Sequence, residues 1–339
     1  MDAAVQHGRP EGTAGVTVAD MKTLWVRSLW LVLAGALFFG AIGVIASWAP
    51  DQPVEQLKSR WAKPPSRFIE VNGLQVHLRD EGPHDDPAPI VLLHGTSASL
   101  HTWQGWAVAL RDRRRVIRFD LPGFGLTGPS HENDYSLAAD VRFVQAVMDQ
   151  LGVRRFVLGG NSLGGLVAWS AAARMPERVE RLILVDAAGY PPGAMTTPQA
   201  VPLALRIARM PWLRPVAGYM LPRGLIENSL RQLYGDPAKV TPELVDLYSD
   251  MARRQGNRDA LARRFDQAAP ADLSQLKDIK APTLVLWGGR DRLLPPELAQ
   301  RFERDIPHAQ RVVFDDLGHM PMEEDPERTV AQVRRFLGL

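Results

Sequence analysis

One short stretch constrains the fold of this chain more than any other. Between Val157 and Gly165 the sequence reads VLGGNSLGG, so that an apolar strand runs into a serine and a helical pattern follows. A serine at such a tight strand-to-helix turn needs neighbouring backbone too close for a β-carbon, and Gly160 and Gly164 leave that space. The stretch therefore predicts a strand, a sharp turn at Ser162 and a helix, which together form one unit of an α/β fold.

Apolar runs that alternate with helical patterns continue this organisation through the chain. Asn72 and Gly73 separate the first two runs and predict a β-hairpin, because both residue types tolerate the backbone of a tight turn. Helical patterns such as Ala138–Leu151 and Leu163–Ala173 lie between later runs. This alternation predicts an α/β fold with a mostly parallel sheet and helices on both faces. The predicted strands are Arg67–Val71, Leu74–Leu78, Pro89–Leu93, Val116–Asp120, Phe156–Leu158, Leu182–Val185, Thr283–Trp287 and Val312–Phe314.

The segment from Tyr190 to Lys280 interrupts the alternation. It shows no convincing strand and carries helical patterns broken by prolines, at Val201–Met210, Pro242–Arg253 and Arg258–Ala268. We expect residues 190–280 to form a helical cap over the carboxyl ends of the strands, inserted into a core of residues 67–189 and 281–339. Its apolar side chains would either roof a substrate or pack between helices; they are Leu203, Ile207, Met210, Trp212, Leu213, Met220 and Leu221.

The first 66 residues have a different character. Residues 1–23 are expected to form a disordered N-terminal tail, because their first part is polar and has no hydrophobic period. Residues 24–48 include the uncharged run Ser28–Trp48, which as a helix spans ~31 Å and matches the hydrocarbon thickness of a bilayer. We expect an uncleaved transmembrane anchor, with a cleaved signal peptide as the alternative. Prolines in residues 49–66 predict a linker between membrane and domain.

Charges beside the anchor indicate its orientation. Lys22 and Arg27 precede the uncharged run, whereas Asp51 and Glu55 follow it. Basic residues stay preferentially in the cytoplasm, so this asymmetry favours a cytoplasmic N-terminus. We therefore expect a single-pass membrane protein whose large domain lies outside the cytoplasm, in the periplasm.

Composition excludes several kinds of site. The chain has no cysteine, which removes disulfides, zinc–thiolate sites, iron–sulfur clusters and a cysteine nucleophile. Its 40 basic and 38 acidic residues give a net charge of +2, and its short arginine runs lack interleaved aromatics, so no nucleic-acid partner is expected. Asp120–Gly125 lacks the Lys-Ser/Thr pair of a phosphate-binding loop and predicts a tight turn. Because no His/Asp/Glu set has metal-ligand spacing, we predict no metal. No motif indicates a cofactor, and we predict no protein partner.

Ser162 stands where an enzyme would hold a nucleophile, and such a serine needs a base and an acid that orients the base. His319 follows a glycine in the loop after the last predicted strand, and Asp291 lies just past the strand Thr283–Trp287. Both side chains would emerge at the same sheet edge as Ser162. Asp186 follows the strand Leu182–Val185 and is a rival acid, its alternative role being a structural carboxylate at the turn into the cap.

The sequence His94-Gly95-Thr96-Ser97 follows another buried strand and predicts an oxyanion hole. In acyl transfer, two backbone N–H groups aimed at the developing oxyanion stabilise the transition state. We expect these donors to be the N–H groups of Leu163, directly after Ser162, and of Thr96, with Ser97 as an alternative to Thr96. His94 is predicted to be a buried ring that holds the loop rather than a catalytic histidine.

With these motifs in place, residues 67–339 resemble the α/β-hydrolase fold superfamily, whose triad follows the order Ser, Asp, His. The strings Gly-Asn-Ser-Leu-Gly-Gly around Ser162, Leu-Val-Asp-Ala-Ala-Gly-Tyr at residues 184–190, Trp-Gly-Gly-Arg-Asp ending at Asp291 and Gly-His-Met-Pro around His319 are most similar to bacterial family V lipases and esterases. The resemblance implies Ser162 as nucleophile, Asp291 as orienting acid and His319 as base. Some members of that group also carry an N-terminal hydrophobic segment.

The stretch around Ser162 also resembles carbon–carbon bond hydrolases of aromatic meta-cleavage pathways. Those enzymes usually have a glycine-rich loop after the His-Gly pair and a tryptophan directly after Gly-His, where this chain has Thr96-Ser97-Ala98 and Met320. Haloalkane dehalogenases and epoxide hydrolases resemble the framework but place an aspartate at the elbow, and Ser162 excludes their chemistry. We therefore expect a membrane-anchored hydrolase of small-molecule or lipid carboxylic esters. A carbon–carbon hydrolase and a non-catalytic binding protein are the alternatives.

Overall fold

The structure is a computed structural model that describes residues 18–191, 201–213 and 219–339. The chain divides into two compact units, one ending at Trp48 and one beginning at Ala49. In the first unit, helix α1 covers Val18–Ser47 and so begins within the segment predicted to be a disordered tail. Its stretch Arg27–Ile45 has a mean hydropathy of 2.3 and none of its side chains is buried, so this helix is long and apolar enough to cross a membrane.

The second unit is built on one eight-stranded sheet in the order β1-β2-β4-β3-β5-β6-β7-β8. Strands β1, β2 and β4 pair antiparallel, and all other neighbours pair parallel. All eight predicted strands are present, five of them longer than predicted and two shorter by one residue. Their bounds are β1 Arg67–Val71, β2 Leu74–Glu81, β3 Ile90–Leu93, β4 Val116–Phe119, β5 Phe156–Asn161, β6 Val179–Val185, β7 Thr283–Gly288 and β8 Ala309–Phe314.

The hairpin between β1 and β2 forms as predicted. Asn72 and Gly73 have φ angles of 51° and 79°, the left-handed backbone that a two-residue hairpin turn requires. Val71 and Leu74 consequently pair directly across the turn.

Helices cover both faces of the sheet. One face packs against Val144, Trp169 and Phe302, and the other packs against Trp106 and Val333. This confirms the predicted layers of helix, sheet and helix. Besides α1, the helices are α2 Val54–Trp61, α3 Gln104–Leu110, α4 Leu137–Gln150, α5 Leu163–Arg174, α6 Leu203–Ala208, α7 Arg223–Leu233, α8 Pro242–Arg253, α9 Asn257–Gln267, α10 Glu297–Asp305, α11 Pro321–Glu324 and α12 Pro326–Leu337.

Between β6 and β7 the described residues contain helices α6 to α9 and short 3₁₀ turns at Pro211–Leu213, Pro237–Lys239 and Leu273–Asp278, but no strand. Helix α8 has the predicted bounds, and Thr241 caps its first turn by accepting a hydrogen bond from the N–H of Leu244. Leu203 and Trp212 are 46% and 75% exposed, so neither side chain is buried in the cap. The side chain of Leu213 lies outside the described part.

Residues 49–66 differ from a simple linker. Helix α2 buries Leu57 in a cluster with Leu247 and Met251 of the cap helix α8. Arg60 forms ion pairs with Asp246 and Asp250 at 2.9 Å and 3.0 Å. The prolines before and after α2 obscured a two-turn amphipathic helix, and this helix attaches the segment to the domain.

Candidate active site

The turn at Ser162 is as tight as the glycine pattern requires. Ser162 has φ 52° and ψ −115°, a backbone conformation that is strained for a residue with a side chain. A β-carbon on Gly160 would lie 2.1 Å from the carbonyl oxygen of Gly164, and one on Gly164 would lie 2.2 Å from the carbonyl oxygen of Leu93. Only glycine therefore allows β5, the turn and helix α5 to approach this closely.

Asp291 and His319 meet in a buried hydrogen bond. His319 Nδ1 lies 2.6 Å from Asp291 Oδ2, and both residues are at most 5% exposed. Asp291 Oδ1 accepts from the backbone N–H groups of Leu293 and Leu294 at 2.8 Å and 2.9 Å. The carboxylate is thus fixed on both oxygens, which leaves one ring nitrogen of His319 to contact a substrate or nucleophile.

Asn161 connects this pair to the serine turn. Its side-chain amide donates to the backbone carbonyls of His319 and Val185, each at 3.1 Å. Because Asn161 directly precedes Ser162, the two hydrogen bonds hold the histidine loop against the elbow. The three predicted stretches therefore meet at one sheet edge, where the carboxyl ends of parallel strands converge. Sequence reasoning did not single out Asn161, although it lies within the quoted elbow string.

Glu324 also escaped sequence reasoning. Its buried carboxylate accepts from the backbone N–H groups of Gly318, Gly235 and Asp236 at 2.8 Å, 3.0 Å and 2.8 Å. Gly318 precedes His319, and Gly235 follows the cap helix α7, so one side chain joins the histidine loop to the cap. No local motif marks this role, because it depends on a contact between distant loops.

The loop after β3 lies directly against the elbow. A β-carbon on Gly95 would be 2.9 Å from Asn161 Oδ1 and 3.1 Å from Ser162 Cβ. Thr96 follows at this point of closest approach. Leu163 begins helix α5, where first-turn N–H groups have no carbonyl partner within the helix. The predicted oxyanion donors, Thr96 and Leu163, thus belong to the two backbone segments that flank the serine.

His94 has the supporting role predicted for it. The ring is fully buried, and its Nε2 accepts from the N–H of Leu121 at 3.0 Å. The proton must therefore be on Nδ1, which lies 2.7 Å from the carbonyl oxygen of Gly95 and donates to it. Burial lowers the pKa of His94, in agreement with this neutral ring.

Asp186, the rival acid, makes no hydrogen bond to His319. It is fully buried at the end of β6, and its Oδ1 accepts from the N–H of Gly288 at 3.0 Å. Burial, and after it the charge of Asp291, raises the pKa of Asp186 well above its usual value. One oxygen of Asp186, one oxygen of Asp291 and one ring nitrogen of His319 lie within 4.8 Å of one another, so the three ionisable groups form one compact buried cluster.

Two neighbouring features frame the site. The Asp120–Gly125 stretch is a turn, as predicted, with φ angles of 88° at Gly123 and 52° at Gly125. A cavity of about 30 Å³, the volume of about one water molecule, lies beside the loop after β3. Ser97 and Phe124 line it from the core, and Leu261 lines it from the cap helix α9. The cap therefore covers this side of the site.

Comparison with known proteins places the chain in a family. Residues 88–326 match the model of the alpha/beta hydrolase fold family, and the chain belongs to that family. The predicted fold class is thereby confirmed, and the chain is a hydrolase by fold and by its relatives. It is 29% identical over 282 residues to a 2-hydroxy-6-oxo-2,4-heptadienoate hydrolase of Pseudomonas putida, covering 80% of this chain and 95% of that protein.

Two solved structures are also similar. A membrane phospholipase A described as a bacterial virulence factor aligns with a TM-score of 0.69 and 26% identity, over 94% of this chain and 98% of its own. A meta-cleavage product hydrolase from Pseudomonas fluorescens aligns with a TM-score of 0.68 and 26% identity, over 80% of this chain and 97% of its own. The alignment with the membrane phospholipase A covers a larger share of the chain than the unit from Ala49 onward makes up. It therefore includes part of helix α1.

Proposed function

We propose that this protein is a membrane-anchored serine hydrolase that cleaves carboxylic esters through an acyl-enzyme. The observation that carries the proposal is the buried hydrogen bond between His319 and Asp291, held against the Ser162 elbow by Asn161. This arrangement supplies a nucleophile, a base and an acid that fixes the base, which are the parts that acyl transfer requires.

In the proposed reaction these groups act in turn. The Ser162 hydroxyl oxygen attacks the ester carbonyl carbon while His319 accepts the hydroxyl proton. His319 next gives that proton to the departing alcohol, and the acyl group remains on Ser162. A water molecule attacks the acyl carbon, its proton passes to His319, and the acid leaves as Ser162 regains its hydrogen. Asp291 keeps the imidazole in one tautomer and stabilises its cation.

The developing oxyanion requires backbone donors. We assign this role to the N–H groups of Leu163 and Thr96. The N-terminus of α5 carries a partial positive charge that favours an anion beside Ser162. The position of Gly95 against the elbow brings the second segment within reach. Removal of one such donor typically lowers the rate by roughly 10²–10³.

Lipid esters are the substrate class that the whole chain favours. The alignment with the membrane phospholipase A includes part of α1 of this chain. Helix α1 also has the length and apolar surface of a membrane span. An anchored hydrolase meets substrates that partition into the bilayer. We propose that α1 stays attached as the anchor and that the domain from Ala49 onward lies in the periplasm.

Carbon–carbon bond hydrolysis is the second candidate. It is favoured by similarity to the heptadienoate hydrolase and to the meta-cleavage product hydrolase. Against it, the chain has Thr96-Ser97-Ala98 in place of the expected glycine-rich loop and Met320 in place of the expected tryptophan. The same serine and histidine would serve either reaction, so substrate preference must be measured.

The decisive experiment compares an alanine variant at the turn before α5, Ser162→Ala, with one inside α5, Ser170→Ala. Full-length protein in detergent is assayed on p-nitrophenyl esters of increasing acyl length and on a coloured ring-cleavage dienoate. We expect ester hydrolysis to dominate and Ser162→Ala to lower kcat by roughly 10⁴–10⁶. Ser170→Ala is the matched control, because the Ser170 hydroxyl is buried in α5 and has no hydrogen-bond partner among the described residues. Faster turnover of the dienoate than of any ester, or an active Ser162→Ala variant, would contradict the proposal.

Location needs a separate test. Protease added to intact spheroplasts should digest the domain and leave a membrane-embedded fragment that contains α1. Digestion only after lysis would place the domain in the cytoplasm, and release of an intact domain into the medium would indicate cleavage after the apolar helix.

A further inference from the structure

Asp186 has one satisfied and one unsatisfied oxygen. Its Oδ1 accepts the N–H of Gly288, the last residue of β7, at 3.0 Å. Its Oδ2 is fully buried and has no donor among the described residues. A buried carboxylate oxygen without a donor is costly, because water no longer solvates its charge. The oxygen is therefore stable only if it accepts a hydrogen bond or carries a proton itself.

The surroundings of Asp186 supply acceptors rather than donors. The titratable groups that face it are Asp291 after β7, Glu324 of α11 and His319 after β8. Glu324 is already occupied by three backbone N–H groups, and the Nδ1 of His319 bonds to Asp291. An ionised Asp186 would thus place a second negative charge beside Asp291 in a site closed to water, where like charges strongly disfavour ionisation.

A proton on Oδ2 removes both problems. It neutralises the buried carboxyl and converts an unsatisfied acceptor into a donor. An oxygen of Asp186 and one of Asp291 lie within 4.8 Å of each other. Burial, and after it the charge of this neighbouring carboxylate, raises the pKa of Asp186. The carboxylate of Asp291 would then receive the N–H groups of Leu293 and Leu294, the Nδ1–H of His319 and the proton of Asp186.

We propose that Asp186 is a positioning residue that stays protonated at neutral pH and donates its carboxyl proton to Asp291, so that a neutral acid holds the triad carboxylate in place. This inference rests on the proposed serine hydrolase function. The N–H of Gly288 in β7 fixes Asp186 by donating to its Oδ1. Asp186 in turn fixes Asp291 through the proposed hydrogen bond. Asp186 and Asp291 then carry a single negative charge between them.

The pH profile of kcat/KM distinguishes a neutral from an ionised Asp186. Asparagine keeps an oxygen for the N–H of Gly288 and offers an N–H to Asp291, but it cannot ionise. If Asp186 is neutral, Asp186→Asn leaves the acid limb of the profile in place and keeps kcat within roughly threefold, because charge and donor are both preserved. If Asp186 is ionised, the substitution removes a negative charge near His319 and moves the acid limb down by roughly 1 pH unit or more. The second result would overturn the proposal.

Removal of the donor tests positioning. Asp186→Ala abolishes the hydrogen bond to Asp291, and we expect kcat to fall by roughly tenfold or more while KM changes little. We also expect the acid limb of the kcat/KM profile to move to higher pH. Without the donor from Asp186, the negative charge of Asp291 is less well neutralised and acts more strongly on His319. Asparagine should rescue both effects. Equal losses in the asparagine and alanine variants would contradict donation to Asp291.

A measurement without substrate keeps the inference separate from the proposed function. Infrared spectra of the full-length protein in detergent at neutral pH should show the carbonyl band of a buried carboxylic acid, and Asp186→Asn should remove it. Glu323→Gln is the control, because burial raises the pKa of Glu323 to about 7 and its band should fade as the pH rises through that value. Absence of any band specific to Asp186 would overturn the proposal. If the band is present and no ester is cleaved, the proposed function fails while protonation of Asp186 stands.

Discussion

The molecule contains two buried aspartate–histidine pairs of almost the same geometry. Asp291 Oδ2 lies 2.6 Å from His319 Nδ1, and Asp120 Oδ2 lies 2.7 Å from His77 Nδ1. Each carboxylate also accepts two backbone N–H groups. In the second pair, His77 Nε2 lies 2.9 Å from the Ser66 hydroxyl, which completes another series of serine, histidine and aspartate that shares no residue with the proposed triad.

The difference between the pairs lies in the serine. Ser66 accepts from Arg79 Nε at 2.8 Å, so its own proton is directed to His77 and its oxygen is occupied. Ser162 sits in a strained turn at the N-terminus of α5, and its side chain makes no capping hydrogen bond. A hydrogen-bonded triad is therefore insufficient to define an active site. A site for the oxyanion and a nucleophile free to attack must accompany it.

The largest expected contrast comes from Asp→Asn substitutions in the two pairs. Asp291→Asn should lower kcat by roughly 10³–10⁴, because the amide no longer stabilises the productive tautomer or the cation of His319. Asp120→Asn, corrected for the folded fraction, should retain kcat. Steady-state kinetics combined with active-site titration measures this. Equal losses of kcat in the two variants would mean that the pair near Ser66 contributes to turnover.

Stability should respond in the opposite way. Asp120 accepts the N–H groups of Leu100 and Leu126 in addition to its contact with His77, so it connects β2, β4 and two loops. We expect Asp120→Asn to lower the free energy of unfolding by roughly 2–4 kcal/mol, since the amide turns a donor toward buried donors. Denaturant unfolding checks the value. A loss smaller than that caused by Asp291→Asn would reverse the roles assigned to the pairs.

The Asp120 pair should also give a characteristic pH dependence. Burial opposes ionisation, but His77, together with His94 and His101, outweighs it and holds the pKa of Asp120 well below its usual range. Because the folded-state pKa is depressed, this stabilisation is present above the unfolded-state pKa of about 4 and is lost as the pH falls below it. The Asp120→Asn variant should therefore lose less stability than the wild type between neutral pH and strongly acidic pH.

Glu323, on α11 close to His319, sharpens the comparison because its pH response has the opposite sign. Burial raises its pKa to about 7, and Tyr234 and Tyr248 donate to its Oε2 at 2.9 Å each. A raised folded-state pKa gives stability that is complete below the unfolded-state pKa and is lost as the pH rises through about 7. The Tm of the wild type should fall by roughly 2–4 °C relative to Glu323→Gln across this window. Parallel Tm curves for the two proteins would contradict this assignment.

The sequence alone predicts the frame of the site because the frame is local. Buried strands such as β3 and β7 are continuous apolar runs, and the glycines beside Ser162 report a close approach that a single motif encodes. The pairing of His319 with Asp291 rather than Asp186 also follows, since Asp291 lies in a loop past its strand whereas Asp186 remains at the end of β6.

What the sequence does not predict depends on which loops meet. Glu324 binds backbone of the cap, Asn161 binds the carbonyl of His319, and α2 packs on α8. None of these contacts leaves a periodic or spaced pattern, because each joins segments far apart in the chain through a single side chain. The protonated state inferred for Asp186 likewise arises from neighbours brought together only in the folded chain.

The smallest expected effect is the most informative control for the comparison. Ser66→Ala removes the hydroxyl that contacts His77 but leaves Asp120 and His77 in contact. Ser66 is only partly buried, so water can replace its hydroxyl. We expect the free energy of unfolding to change by about 1 kcal/mol or less and kcat to stay the same. Kinetics and denaturant unfolding of Ser66→Ala beside Ser162→Ala test this with one chemical change at both places. If Ser66→Ala lowered kcat while Ser162→Ala did not, the hydroxyl bonded to His77 would be the nucleophile, and the strained elbow would be only structural.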